Sequence, residues 1–163
     1  MTQLEEKFLA ALKTADGGDK AAAQAAFEAI IAAEPKGDLA DDALYNIGFL
    51  QFSQNLFDKA EATFKKLIAE YPQSTIAEFP GSTEHGATPA KAWYMLVNCY
   101  LAMGREIDAY EAADKLDGYA GSYVQFVNEQ KIAFRKTFRM LAQELLDQYA
   151  AAKSELEVNK SGA

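Results

Sequence analysis

The chain has one histidine, one cysteine and four prolines among 163 residues. A structural zinc site draws about four ligands from Cys and His, so no metal site is expected. A disulfide within the chain is impossible. No run of about 18 apolar residues occurs, so no membrane span is expected. β-Branched residues are also scarce: Val, Ile and Thr together supply 18 positions, against 31 alanines. Alanine is the best helix former and β-branched residues favour strands. The composition therefore predicts an all-α protein and argues against a sandwich or barrel. The first residues, Met1 to Glu6, are acidic and lack the apolar stretch of an export signal. That start predicts a cytoplasmic protein; the alternative is a periplasmic one whose signal was trimmed.

Positive charge is in deficit as well. The formal net charge is −8, which disfavours nucleic acid as a partner. Residues 1–78 hold seven basic and thirteen acidic side chains, whereas 131–139 hold four cations and no carboxylate. Half of the residues are hydrophobic and 12% are aromatic, so a packed core is expected.

Similar blocks recur along the chain. The clearest contains Leu44, Ile47, Gly48, Ala60, Phe64, Leu67 and Pro72. An earlier block repeats its ending as Ala23, Phe27 and Pro35. A later one repeats its beginning as Trp93, Leu96, Tyr100, Gly104 and Ala109. Small residues at Gly48 and Ala60 let two helices approach closely, and Phe64 and Trp93 fill the space between pairs. Pro35 and Pro72 stop the second helices. Helices are expected at about 2–16, 19–33, 39–54, 57–71, 90–103 and 106–116, with Asp38 and Asp41 near a helix start as caps.

These blocks resemble the tetratricopeptide repeat (TPR) family, bacterial in type, whose unit is a helix–turn–helix of about 34 residues. The resemblance implies an α-solenoid of three helix pairs over 1–116, at 1–37, 41–74 and 90–116. It also implies a non-enzymatic protein-binding module or scaffold, with no cofactor. By the family's pattern the concave groove is lined by Phe8, Leu12, Asp42, Tyr45, Phe49, Phe52, Lys91, Tyr94, Asn98 and Leu101. An aromatic groove of this kind suits a peptide or an amphipathic helix. One subclass grips a terminal carboxylate with a basic clamp. Asn46 and Lys91 match that clamp, but Phe8, Leu12 and Met95 replace its other members, which argues against that activity. The Tyr71-Pro72-Gln73-Ser74 ending resembles TPR proteins of cell-envelope assembly, a further functional alternative.

Two segments depart from the repeat. Residues 75–89 exceed the period by about 15 residues and read as a loop. It holds Ser82, Glu84 and His85, residue types that serve in hydrolases. Near neighbours in a loop rarely reach the required geometry, so a solvated loop wrapping the helix ends is the expectation. Residues 122–157 contain no Gly or Pro. Their apolar positions predict one long amphipathic helix within a 117–157 segment, followed by a disordered tail at 158–163. Val127, Phe134, Phe138, Leu141 and Leu145 would form its interface. It would either cap the repeats or pair with a second copy in a homodimer.

Overall fold

The computed structural model describes residues 1–162. Seven helices dominate it: α1 (Gln3–Asp16), α2 (Lys20–Ala33), α3 (Ala40–Ser53), α4 (Phe57–Glu70), α5 (Thr88–Ala102), α6 (Glu106–Lys115) and α7 (Phe138–Ser161). Each of the first six packs on the next in sequence, and α7 packs on α5 and α6. The start of α1 is a reciprocal cap: the Glu5 N–H donates to Thr2 Oγ1 at 3.1 Å, and the Thr2 N–H donates to Glu5 Oε2 at 2.5 Å. Asp19 caps α2 through the Ala22 N–H. Neither Asp38 nor Asp41 caps α3. Leu39 holds that position without a side-chain bond, and Asp41 and Asp42 lie in the first turn, buried. There their carboxylates sit at the positive end of the helix dipole.

The core has two connected parts. One joins α1, α2 and α3 around Phe8, Phe27, Ile30 and Ile47; the other runs from α3 to α7 around Phe64, Leu67, Leu96, Leu116 and Leu146. Ile31 touches both. Ala23, Ala60 and Ala109 are fully buried, as their shared repeat position predicts.

The long helix expected over 122–157 is a β-hairpin followed by a shorter helix. Strand β2 (Tyr123–Val127) pairs antiparallel with β3 (Ala133–Thr137), in register Tyr123↔Thr137 to Val127↔Ala133. A two-residue strand β1 (Glu84–His85) adds to the other edge of β2, giving the order β1-β2-β3. The chain is thus helix-dominated but not all-α. The physical reason is local. Asn128 Oδ1 accepts from the Ile132 N–H at 2.8 Å, and Lys131 adopts a left-handed φ of 59°, which closes a turn without Gly or Pro. Thr137 Oγ1 then accepts from the Met140 N–H at 3.1 Å and starts α7. From Phe138 onward the expected helical spacing holds. The helix continues to Ser161, so residues 158–161 are helical rather than disordered; Ala163 lies outside the described residues.

Close approach of α3 and α4 rests on Gly48. A Cβ there would sit 2.7 Å from Phe64 Cε1 and 2.8 Å from Cζ, and Phe64 is fully buried. Gly48→Ala gains about 1 kcal/mol of helix propensity, but overpacking costs about 1–3 kcal/mol. The expected result is a net loss of stability, read as a lower midpoint in thermal or urea unfolding. An unchanged or raised midpoint would show that Phe64 yields freely.

Candidate functional site

Helix α3 turns Asp42, Tyr45, Asn46 and Phe49 to one face, as their three- and four-residue spacing dictates. Phe8 and Leu12 of α1 stand on one side and Lys91 of α5 on the other. Together they line a cleft of about 370 Å³. Its remaining wall is the segment 76–84 between α4 and α5. The sequence suggested a solvated loop wrapping the helix ends; the segment lies on the helices and also closes one side of the cleft. Phe79 stacks on Phe8 with ring centroids 5.8 Å apart. The Ala77 N–H donates to both carboxylate oxygens of Asp42, at 3.1 and 3.2 Å. Its far end belongs to α5, because Thr88 and Pro89 already lie in that helix.

The floor of the cleft is polar and buried. Lys91 Nζ pairs with Glu84 and lies 4.0 Å from the Tyr45 ring centroid. A buried ammonium is costly unless paired. Here it faces one carboxylate, one aromatic face and the nearby charge of Asp42. Burial pushes the Asp42 carboxyl up to about 7; repulsion from Asp41 adds to the shift, and Lys91 opposes it. Burial raises Asp41 and the Tyr45 phenol in the same sense. Outside the cleft lining, Asp41 Oδ2 and Thr88 Oγ1 have no hydrogen-bond partner among the described residues. The rim is apolar: Phe49 is 46% exposed beside Tyr45, their rings 6.4 Å apart.

Of the residues expected in the groove, Phe8, Leu12, Asp42, Tyr45, Phe49 and Lys91 converge on this cleft. Phe52 instead packs edge-on against Phe57 at 5.3 Å. Tyr94 packs against Phe138 at 6.1 Å. Asn98 donates to the Tyr94 carbonyl, and Leu101 packs against the core. The start of α7 therefore covers part of the α5 face. The expected interface set divides likewise. Phe138 is buried, Leu141 packs on the core and Leu145 is half-buried, whereas Val127 and Phe134 stand exposed on the hairpin.

Ser82, Glu84 and His85 do not form a relay. Ser82 Oγ accepts from the Phe79 N–H, Glu84 holds Lys91, and His85 Nδ1 meets Glu78 Oε1 at 2.6 Å. Cys99 is buried, and desolvation pushes its thiol up to about 12, unsuited to thiolate chemistry. Sequence reasoning missed Ala77 and Phe79. The apolar Ile76, Ala77 and Phe79 within a polar loop were the available signal.

Residues 42–74 match the family model described as tetratricopeptide repeat. The chain carries a tetratricopeptide repeat. Among solved structures, a tetratricopeptide repeat protein from Parabacteroides merdae ATCC 43184 is similar at 16% identity and a TM-score of 0.40, over 93% of this chain. The chain spans 62% of that protein's length. No curated protein matches. The matched repeat begins at Asp42 and supplies the cleft's Tyr45, Asn46 and Phe49. Its first helix thus supplies the α3 side of the cleft, and the segment after it supplies the remaining wall. No helix of the described residues is long and apolar enough to cross a membrane.

The raised Asp42 pKa has a signed consequence. The folded chain holds a proton that the unfolded chain releases from about pH 4 upward. Stability linked to Asp42 is complete below that pH and is lost as pH rises towards about 7. Asp42→Asn keeps an acceptor but cannot titrate. Its melting temperature should gain on the wild type between about pH 4 and pH 7. Parallel melting curves across that range would contradict this account.

Proposed function

We propose that the chain is a non-enzymatic interaction module that holds an apolar or amphipathic segment of a protein partner in the cleft. Tetratricopeptide repeats generally mediate protein–protein contacts, and the repeat here supplies the cleft floor. The observation that carries the reading is Phe49. It is a large aromatic left half-exposed at the mouth of a cleft whose other aromatics, Phe8, Tyr45 and Phe79, are packed within the fold. An exposed aromatic beside a recess is the usual form of an interface anchor. The polar floor of Asp42, Asn46, Glu84 and Lys91 would orient the guest, and the aromatic rim would supply the buried area.

Self-association through α7 has less support. Phe138, Ala142 and Leu146 are buried within the chain's own fold, so that face is already covered.

Phe49→Ala should leave the fold intact, because the side chain reaches solvent, and should weaken partner binding by about 2 kcal/mol, roughly thirtyfold. Affinity capture from the source cells with wild-type and Phe49→Glu bait would identify the partner. Titration calorimetry with the purified partner would then measure the loss. If both baits retain the same proteins with equal affinity, the cleft is not the binding site.

A further inference from the structure

The β-hairpin presents a second surface, independent of the cleft. Among the described residues its outer strand β3 has only one neighbour, β2. The Gln125 N–H donates to the Thr83 carbonyl at 2.7 Å, so odd-numbered residues of β2 face β1 and even-numbered ones face β3. By the alternation of antiparallel pairing, Phe134 and Lys136 turn their backbone groups to β2. Ala133 and Arg135 turn theirs to the open edge.

This edge is apolar and basic. Val127, Ile132 and Phe134 are 64, 61 and 43% exposed. Lys136 is paired with Glu144 at 2.6 Å and Arg139 with Asp117 at 3.0 Å. Arg135 lies over the Tyr123 ring at 4.8 Å, against an aromatic rather than a carboxylate. Lys131 stands at the turn, and Glu129 is the one carboxylate in 123–137. A local basic edge on a chain of net charge −8 is a selective feature. At physiological salt the screening length is about 8 Å, so the charges nearest the edge, Arg135 and Lys131, dominate the attraction there.

We propose that β3 is a docking edge for an extended acidic segment of a partner protein, which adds to the sheet as a fourth strand. The guest's backbone would bond Ala133 and Arg135. An acidic residue would face Arg135, and an apolar one would lie beside Phe134. A second copy is a poorer occupant, because self-pairing centred on Arg135 sets two guanidinium groups opposite each other. Charged edge residues also deter unwanted strand pairing, and that role alone predicts no affinity for acidic peptides.

The test uses the full chain and a short capped fluorescent peptide of alternating glutamate and valine, read by anisotropy, with the lysine–valine peptide as control. The acidic peptide should bind and the basic one should not. Binding should slow amide hydrogen exchange at Ala133 and Arg135. Arg135→Glu should weaken it by about tenfold. Ala133→Pro removes an N–H that points away from β2, so it should abolish binding while the thermal midpoint stays near that of the wild type. Phe49→Ala should have no effect here, which separates this edge from the cleft. The proposal is overturned if neither peptide binds, if both bind equally, or if either hairpin variant binds as the wild type does. Capture by phosphatidylserine vesicles in place of the peptide, or a hairpin-dependent dimer in sedimentation that excludes the peptide, would overturn it too.

Discussion

A buried ammonium organises this molecule. Lys91 lies on α5 in surroundings that admit almost no water, so it needs a carboxylate close by. The segment between α4 and α5 supplies the paired carboxylate, Glu84, and Asp42 of α3 adds its charge nearby. Holding Glu84 there fixes the far limb of that segment. Glu84 and His85 then pair with Val124 and Tyr123, and the Ala87 N–H donates to Ser122 Oγ at 2.9 Å. At Gly86 the φ is +107° and a Cβ would meet Ser122 at 2.5 Å, so only glycine allows the approach. The near limb is tied by Asp42 and Phe79. The segment therefore joins α1 and α3 to the C-terminal hairpin, which is remote from them in sequence.

The helical repeat was legible because its causes are local or periodic. Gly48, Ala60, Phe64 and Pro72 each have one physical role at one spacing, and the family model matches there. The loop and hairpin depend on contacts across the chain. Phe8 and Phe79 stack although about seventy residues separate them, and no periodicity reports such a pair. The hairpin was hidden for another reason. Its turn uses Lys131 at positive φ where glycine is the usual choice. Phe134, Phe138, Leu141 and Leu145 also share helical spacing across a real boundary at Thr137. Half of the cleft, the α1, α3 and α5 side, was thus readable; the wall from 76 to 84 was not.

The same arrangement explains why the cleft combines a charged floor with an aromatic rim. An apolar floor would bind any greasy segment in any register. Fixed dipoles and charges at Asp42, Asn46 and Lys91 make misplacement costly, since an unpaired group in that recess forfeits its hydration. The aromatic rim adds area with little orientation. For the guest proposed above, specificity and affinity would therefore come from different layers of one face.

The loop wall also limits how open that face can be. Its hold on α3 is the Ala77 N–H bond to Asp42, its hold on α1 is the Phe8–Phe79 stack, and its hold on α5 is Glu84 with Lys91. Releasing the near limb costs the Ala77–Asp42 bonds and the Phe8–Phe79 stack; releasing the far limb leaves Lys91 without its carboxylate. Opening near Phe79 is thus energetically separable from opening near Glu84. A guest that displaced Phe79 would gain the Phe8 surface and leave the Glu84–Lys91 pair intact. The geometry favours enlargement of the cleft from the α1 side, with the α5 side as the fixed wall.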